Sequence, residues 1–465
     1  MIDLRTAFGW LPRAVMLGCG HEHFTGVSTD TRTVRPGDLF VALRGDRFDG
    51  HRFIDEAVAA GAVGIVVEEM PDTLKVPALL VPCTRRALGD LARGWRRKFD
   101  LPVVAVTGSN GKTTVKEMIA AILVAHVGQD AAFSTQGNLN NDIGVPLTLF
   151  RLRSEHRMAV IELGMNHPGE IQVLAGMAQP TVALVLNAQR EHQEFMDGPE
   201  ATARENGTVF QALPANGVAV YPGDDACTPI WREICGDRPV MEFGLAGGIE
   251  PAVATYAVAA QREARPDGFT ARVGDEYIDI ELQIAGRHNV RNALAAAACA
   301  RALGIPATTI VRGLAAFQPV AGRLRREVLP NDVVMIDDTY NANPDSMRAA
   351  IDVLVDEPVG PRLLVMGDMG ETGAQAEAFH REVGEYARQR GIDAIWTVGK
   401  DMQAAAQAAG DEARHWHGAD DLLADHPVLP EGFVSVLIKG SRFMRMERIV
   451  RAWSAAAAKP AREAC

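Results

Sequence analysis

The chain has 465 residues, of which 47% are hydrophobic, and its formal net charge is −12. This length exceeds one compact core and predicts about three domains. The negative charge argues against a broad nucleic-acid surface, because binding a phosphate backbone needs an extended excess of Lys and Arg. No apolar stretch approaches the ~20 residues that span a bilayer, and the six cysteines form no CxxC pair. We therefore expect a soluble cytoplasmic protein with reduced thiols and no membrane insertion.

The N-terminal segment alternates between strand and helix patterns. Apolar residues 38–43 and 63–67 predict two strands, and residues 51–60 between them predict a helix. This βαβ order is typical of a small α/β domain, which we place at residues 1–99. A charged stretch followed by Pro102 indicates the linker to the next domain.

The clearest functional signal is the segment 107–114, TGSNGKTT, which lies between an apolar strand pattern and a helix pattern beginning at Val115. Its glycines let the backbone curl with the N–H groups pointing inward. Lys112 adds a cation for the outer phosphates, and the Thr113 hydroxyl can bind Mg²⁺ at the start of the helix. The segment predicts a phosphate-binding loop that uses ATP and Mg²⁺.

Apolar runs at 158–163, 181–187 and 218–221 follow, with helix patterns between them. This alternation predicts a mostly parallel sheet covered on both faces. Ligands bind at the carboxyl ends of such strands. Glu162 ends one strand and His192 follows another, so we consider both as candidate metal ligands.

Residues 250–284 alternate like antiparallel strands, and an Ala-rich helix is predicted over 289–303. They complete a central domain at 100–321. A further set of strand patterns alternates with helix patterns at 333–336, 363–366, 394–398 and 434–438. We predict a separate Rossmann-like domain at 322–465, so the fold class is α/β with three domains, the central one a P-loop domain with a mostly parallel sheet.

Short motifs in all three predicted domains occur together. They are STDTR at 28–32, GDLFVA at 37–42, TGSNGKTT at 107–114, NNDIGVP at 140–146, GRHNVRN at 286–292 and PVAGR at 319–323. With these motifs in this order, the chain resembles the Mur ligase family, the ATP-dependent amide-forming enzymes of peptidoglycan precursor synthesis. The resemblance implies a three-domain Mur ligase architecture.

Three C-terminal motifs refine the resemblance: DDTYNANPDSM at 337–347, MGDM at 366–369 and KGSR at 439–442. They are similar to those of the family member that acts last. The ligase that adds the third amino acid carries a DNPR signature, which this sequence lacks. The resemblance therefore implies that D-alanyl-D-alanine is joined to the free carboxylate of UDP-N-acetylmuramoyl-tripeptide through an acyl phosphate. The products would be the pentapeptide precursor, ADP and phosphate.

The resemblance also implies roles for individual residues. ATP would be held by Thr107, Gly108, Ser109, Asn110, Gly111, Lys112 and Thr113, with adenine at Asn289 and Asn292 and further phosphate and ribose contacts from Arg323 and Asp338. The first Mg²⁺ would be held by Thr113 and Glu162, and a second metal by His192. Catalysis would depend on Lys112, His192 and Arg323. The substrate-binding residues would be Ser28, Asp30, Arg32, Arg44, Asp49, Gly50 and His51 for the uridine diphosphate end, together with Asn140, Asn141, Asn341 and Asn343.

One position departs from the family pattern. Most relatives carry a lysine there whose carbamate helps to hold the second magnesium, whereas this chain has Asn206. An amide cannot form a carbamate, so we predict no modified lysine. The second metal would be held more weakly, or by Asn206, water or a neighbouring carboxylate such as Glu205.

Two other functions fit parts of the sequence. Folylpolyglutamate synthetases share the short phosphate loop, but they would not need the nucleotide-sugar domain suggested by residues 28–51. A regulatory protein could also use ATP turnover to drive a conformational change. We expect a monomer whose partners are the two substrates. The sequence leaves open whether the third peptide residue is diaminopimelate or lysine.

Overall fold

The computed structural model describes residues 1–45, 48–191, 193–245, 257–260, 268–273, 276–357, 360–411 and 413–458. Only the backbone is described for 257–260. None of the helices in these ranges is both long and apolar enough to cross a membrane. Three large sheets organise the chain, and the helices pack on them.

The first sheet is built from the N-terminal residues. The elements of this region are β1 Ile2–Asp3, α1 Leu4–Phe8, β2 Val15–Leu17, β3 His23–Phe24, β4 Gly26–Ser28, β5 Asp38–Val41, β6 Arg44–Gly45, β7 Phe48–Asp49, α2 Ile54–Ala59, β8 Gly64–Val67, β9 Ala78–Leu80 and α3 Thr84–Arg96. Five strands form one sheet in the order β2-β9-β8-β5-β4, and β5, α2 and β8 make the predicted βαβ unit. Strands β4 and β5 are parallel, so the loops after both strands leave the same edge of the sheet.

The central region forms a sheet of nine strands. Its elements are β10 Val103–Thr107, α4 Lys112–Val127, β11 Ala132–Ser134, α5 Gly144–Leu149, β12 Met158–Glu162, α6 Glu170–Ala178, β13 Val182–Val185, α7 Gly198–Gly207, β14 Val218–Pro222, α8 Thr228–Cys235, β15 Val240–Leu245, β16 Ala257–Ala260, β17 Gly268–Val273, β18 Glu276–Glu281, α9 Arg287–Ala302 and α10 Ala307–Ala316. The strand order is β11-β12-β10-β13-β14-β15-β16-β17-β18. Strands β11 to β16 are parallel, and β17 and β18 are antiparallel additions at one edge.

Strand β10 shows why this sheet is covered on both faces. All five of its residues are buried. Val103 and Ala105 pack in the core that contains α3 and α6, whereas Val104 and Val106 pack in the core that contains α4, α9 and α10. Side chains alternate between the faces of a strand, so a continuous apolar run of this kind requires helices on both sides.

The C-terminal region forms the third sheet. Its elements are β19 Arg325–Val328, β20 Val334–Asp338, α11 Pro344–Asp356, β21 Arg362–Gly367, α12 Ala376–Gln389, β22 Ala394–Val398, α13 Gln403–Ala409, β23 Ala413–Trp416, α14 Ala419–Asp425, β24 Ser435–Lys439 and α15 Glu447–Ala457. The order is β19-β20-β24-β21-β22-β23, and every pair except β19–β20 is parallel. Two apolar clusters cover its two faces. The α/β fold class and the parallel sheets predicted from the sequence are confirmed.

A buried arginine joins the N-terminal region to the central sheet. Arg96, the last residue of α3, is 5% exposed. Its guanidinium donates to the carbonyl oxygens of Ala178 and Gln179 at 3.0 and 3.3 Å, and to those of Phe99 and Leu101 at 2.6 and 3.2 Å. Burial lowers the pKa of Arg96. Its charge is thus neutralised by carbonyl dipoles at the end of α6 and in the linker.

Candidate active site

A cleft of about 1690 Å³ lies between the central and C-terminal regions. Parallel strands from both regions direct polar residues into it from their carboxyl ends. Glu162 ends β12 and Asn187 follows β13, whereas Asp338 ends β20 and Lys439 ends β24. Open α/β sheets bind ligands at such strand ends, so this cleft is the candidate active site.

The phosphate loop forms the floor of the cleft. Gly111 precedes α4 with φ +90°, and a Cβ atom there would lie 2.6 Å from Asn292 Oδ1. Both facts require glycine, because L side chains rarely adopt that conformation and the space is filled. Helix α4 therefore begins at Lys112, three residues before the predicted start at Val115.

Lys112 lies within the curl of the loop. Its Nζ donates to the carbonyl oxygens of Gly108 and Ser109 at 2.5 and 3.0 Å. It also lies 3.3 Å from Oε2 of Glu191, a carboxylate that is 7% exposed. The ammonium group is therefore held by loop carbonyl oxygens and by Glu191, in the lining of the cleft.

Thr113 and Glu162 form the predicted magnesium pair. Thr113 Oγ1 donates to Glu162 Oε1 at 3.2 Å, and Asn140 Nδ2 donates to the same oxygen at 2.7 Å. Glu162 is 1% exposed, and its Oε2 has no hydrogen-bond partner among the described residues. A buried carboxylate oxygen with a free lone pair beside a hydroxyl fits Mg²⁺, which prefers oxygen ligands.

The second predicted metal ligand is not placed. His192 lies outside the described residues. Within the described ranges, no group of three or more His, Cys, Asp and Glu side chains could hold a metal. Mg²⁺ bound through Thr113, Glu162 and phosphate oxygens would not need such a group.

The C-terminal region contributes a cationic wall. The Arg323 guanidinium stacks on the Tyr340 ring at 4.1 Å, and its Nε has no partner in the part of the chain that the structure describes. Lys439 Nζ donates to Asp338 Oδ2 at 2.6 Å, and this pair is almost fully buried. Arg323 thus keeps donor capacity for an anion, whereas Asp338 is already neutralised by Lys439.

The start of α9 forms the opposite wall. Asn292 Nδ2 donates to Asn289 Oδ1 at 2.9 Å, and Asn289 Nδ2 donates to the Ala285 carbonyl oxygen at 2.7 Å. Beside them, burial lowers the pKa of His288 to about 4, so its imidazole is neutral at neutral pH. The predicted adenine contacts therefore lie in a polar corner beside a neutral imidazole.

Most of the predicted nucleotide and peptide contacts come together here. The cleft is lined by Ser109, Asn110, Gly111, Lys112, Asn140, Asn141, Glu162, Asn289, Asn292, Arg323, Asp338, Asn341 and Asn343. Three further predicted residues are buried in or beside the same loop: Thr107, Gly108 and Thr113.

The predicted uridine diphosphate contacts lie elsewhere. In the described part of the chain, none of Ser28, Asp30, Arg32, Arg44, Asp49, Gly50 and His51 lines the cleft. They lie at the end of β4 and in the turn after it, and in the β6–β7 pair and the turn after β7, which follow β5. Here Asp49 Oδ1 accepts from the His51 backbone N–H at 3.0 Å and contacts His51 Nδ1 at 2.7 Å, which lowers the pKa of Asp49 to about 2. The role of these loops stays a prediction.

Asn206 has protein partners on both sides of its amide. Thr107 Oγ1 donates to Asn206 Oδ1 at 2.6 Å, Asn206 Nδ2 donates to the Thr202 carbonyl oxygen at 3.1 Å, and the residue is fully buried. The neighbouring Glu205 accepts from the backbone N–H groups of Gly169 and Ile171 at 2.8 and 3.0 Å, so it caps α6. Asn206 thus contacts the first residue of the phosphate loop, and whether it or Glu205 also supports a second metal stays a prediction.

Sequence reasoning missed two groups. One is Lys439, which belongs to the KGSR motif at 439–442 but received no role, although the rule of polar strand ends could have assigned one. The other is Arg190, in the segment after β13, which pairs with Asp345 and Glu382 of the C-terminal region. Its position after a strand end was visible, but its partners lie 155 and 192 residues away.

Family models match most of the chain. The model described as Mur ligase family, catalytic domain, matches residues 23–96, and the Mur ligase middle domain matches 106–300. The model described as Mur ligase, glutamate ligase domain, matches residues 322–442. The matches follow the three sheets in chain order.

Whole-chain relatives agree with these matches. The UDP-N-acetylmuramoyl-tripeptide–D-alanyl-D-alanine ligase of Escherichia coli is 42% identical over 92% of this chain and 93% of its own length. The ligase of the same name from Haemophilus influenzae is 38% identical over 97% and 98%. A crystal structure of MurF from Acinetobacter baumannii superposes with a TM-score of 0.88 at 34% identity, covering 98% of this chain and 99% of that one. The MurF ligase of Thermotoga maritima in complex with ADP gives a TM-score of 0.81 at 28% identity, over 94% and 98%. The chain belongs to the Mur ligase family.

Proposed function

We propose that this chain is an ATP-dependent ligase that joins D-alanyl-D-alanine to the free carboxylate of UDP-N-acetylmuramoyl-tripeptide. The family membership and the two whole-chain relatives of that name support this function. One observation carries the chemistry. A phosphate loop, the Thr113–Glu162 pair and the Arg323 guanidinium border or adjoin one cleft between two domains.

The reaction must activate a carboxylate, which is a poor electrophile. An oxygen of the tripeptide carboxylate attacks the γ-phosphorus of ATP, the bond to the β–γ bridging oxygen breaks, and ADP leaves. The amine of D-alanyl-D-alanine then attacks the acyl phosphate through a tetrahedral intermediate. Phosphate leaves with the C–O electron pair, and the amine proton goes to solvent or to the departing phosphate. One ATP is converted to ADP and phosphate for each amide formed.

The residues of the cleft would stabilise negative charge during both steps. Lys112 would bind the outer phosphates from the loop side, and Arg323 would approach the transferring phosphoryl group from the C-terminal side. Thr113 and Glu162 would hold Mg²⁺, which supplies further neutralisation of the phosphate oxygens. We retain His192 as a proposed second ligand and catalytic residue.

Closure of the C-terminal domain would complete this site. Arg323 and Asp338 belong to that domain, whereas Lys112 belongs to the central one. An acyl phosphate hydrolyses in water, so a site assembled only when the cleft is closed would protect the intermediate. We propose domain limits at 1–99, 100–321 and 322–465, with the loops after β4 and β5 holding the uridine diphosphate end and Asn341 and Asn343 near the dipeptide or nucleotide. We also propose a cytoplasmic monomer.

A coupled assay tests the function. Purified protein with Mg²⁺, ATP, UDP-N-acetylmuramoyl-tripeptide and D-alanyl-D-alanine should give the pentapeptide by mass spectrometry, with one phosphate released per product. Parallel reactions with the diaminopimelate and lysine tripeptides would identify the third residue. Lys112→Ala should abolish product formation. Phosphate release that does not change when both peptides are omitted would contradict the proposal and favour a nucleotide-driven regulatory protein.

A further inference from the structure

Arg190 connects the central domain to two helices of the C-terminal domain. Its Nη2 and Nε donate to Asp345 Oδ1 at 2.6 and 3.1 Å, and its backbone N–H donates to Asp345 Oδ2 at 2.9 Å. Its Nη1 and Nη2 donate to Glu382 Oε2 and Oε1 at 2.7 and 2.9 Å. One guanidinium therefore makes forked contacts with two carboxylates, the first on α11 and the second on α12.

The surroundings of Arg190 strengthen these contacts. The side chains of Arg190 and Asp345 are each 23% exposed and that of Glu382 is 31% exposed, so the charges are largely withdrawn from water. The guanidinium also lies 5.2 Å from the centre of the Phe379 ring. Without Arg190, these two carboxylates of the C-terminal domain would lose their cation from the central domain while their solvation stayed reduced, so the attraction across the seam between the domains would be lost.

The segment that carries Arg190 is bound to the phosphate loop. Asn187 accepts from the Asn110 backbone N–H at 2.9 Å and donates to its carbonyl oxygen at 3.0 Å. Gln189 accepts from Asn110 Nδ2 at 2.6 Å, and its backbone N–H donates to Ser109 Oγ at 2.9 Å. The segment 187–190 therefore cannot move independently of the loop that binds the nucleotide.

A second contact crosses the same seam. Asn343 Nδ2 donates to Asn110 Oδ1 at 2.9 Å, and Asn343 caps α11 through its own Oδ1. The same helix thus touches the phosphate loop at its cap and binds Arg190 two residues later. Closure and the shape of the loop are mechanically linked through α11.

We propose that Arg190 is a positioning residue that holds the C-terminal domain closed against the phosphate loop by bridging Asp345 and Glu382. It acts through the domain position and not by contact with the reacting atoms. The structural part of this inference stands alone, and its kinetic consequence rests on the proposed function. If Arg190 is lost, a smaller fraction of the protein is in the closed form. The apparent affinity for ATP then falls in proportion to that fraction.

Small-angle X-ray scattering of the full chain without nucleotide tests the structural part. Arg190→Ala should increase the radius of gyration relative to the native protein. Arg348→Ala is the matched control, because Arg348 binds the same Glu382 carboxylate at 3.1 Å but lies within the C-terminal domain. It should leave the radius unchanged. Glu382→Gln weakens the bridge from the other side without touching the phosphate loop, and it should increase the radius less than Arg190→Ala does, because the bonds to Asp345 remain.

Steady-state kinetics test the consequence. We expect Arg190→Ala to raise KM for ATP about tenfold while kcat at saturation changes by less than about threefold, because saturating substrate restores closure. Arg190→Lys keeps the positive charge but cannot make forked hydrogen bonds to two carboxylates. Its KM for ATP should therefore lie between those of the native protein and Arg190→Ala.

Other results would overturn the inference. An unchanged radius of gyration in both Arg190→Ala and Glu382→Gln refutes it, and so does a raised KM with no change in radius, since Arg190 would then contact the nucleotide directly. The scattering result needs no turnover. If the native protein makes no product, the proposed function is refuted, but the scattering measurements still test the Arg190 bridge.

Discussion

Replacing Glu162 by Gln removes one charge from the proposed magnesium site and keeps the side-chain shape. The glutamine carbonyl oxygen can still accept from Thr113 Oγ1 and Asn140 Nδ2, as Glu162 Oε1 does. The second oxygen, which has no hydrogen-bond partner among the described residues, becomes an NH₂ group that cannot bind a cation. The substitution therefore separates metal binding from the hydrogen bonds that position strand β12.

The expected loss can be estimated from charge and burial. Two unit charges about 4 Å apart near a protein surface interact by about 4 kcal/mol. Glu162 is 1% exposed, so solvent screens it weakly. We therefore expect the affinity for the magnesium–nucleotide complex to fall at least ~100-fold, or about 2.7 kcal/mol. A ligand at ~100 times its Kd stabilises a protein by about 2.7 kcal/mol, and after a ~100-fold loss it stabilises by only about 0.4 kcal/mol.

Thermal unfolding with Mg²⁺ and a non-hydrolysable ATP analogue measures this difference. The native protein should show a clear rise in Tm with the ligand, and Glu162→Gln should show almost none. Glu155→Gln, an exposed carboxylate in the same domain, is the control and should keep the native response. If Glu162→Gln kept the full rise in Tm, Glu162 would not hold the metal.

Three further predictions concern other parts of the structure. Asn206→Lys, assayed in bicarbonate, should change the magnesium dependence of activity, and an unchanged dependence would limit Asn206 to its hydrogen bond with Thr107. Burial holds the pKa of His288 near 4, below that of the unfolded chain, so its contribution to stability is complete above about pH 6.5 and is lost as the pH falls toward 4. Urea unfolding at several pH values should show this loss, no more than about 3 kcal/mol, and His288→Gln should lack it. Arg96→Ala should cost about 3 kcal/mol or more in urea unfolding, because buried carbonyl groups lose their donors, and a cost under about 1 kcal/mol would contradict that account.

Periodicity and strand-end rules recovered the sheets and much of the cleft. The apolar strand pattern before the phosphate loop is the strand Val103–Thr107, and the helix predicted at 289–303 is Arg287–Ala302. Both patterns are local, because burial on both faces of a strand gives a continuous apolar run and burial of one helix face gives an apolar period of 3.6 residues. The early start of α4 was missed because Gly111 replaces the usual Ser, Thr or Asp cap with a positive φ.

Pairings across the domain seam could not be predicted in the same way. Arg190 carries no local pattern that distinguishes it from a solvated surface arginine, and its two carboxylate partners lie on helices of another domain. Asn206 was placed by motif register, but its contact with Thr107 depends on how α7 packs against the end of β10. Both depend on tertiary geometry that residue spacing does not encode.

The contacts that hold the phosphate loop are mostly amides. Asn187, Gln189, Asn206 and Asn343 each hydrogen-bond to a residue of the loop, from the segment after β13, from α7 and from the C-terminal domain. Carboxylates in these positions could not make the hydrogen bonds that Asn187 and Asn343 donate, and they would add negative charge where a triphosphate must bind. Neutral amides fix the loop without adding to the negative charge that Glu162 and Glu191 already bring to it. A loop held in this way is ordered before the nucleotide arrives, so little of the binding free energy is spent on ordering it.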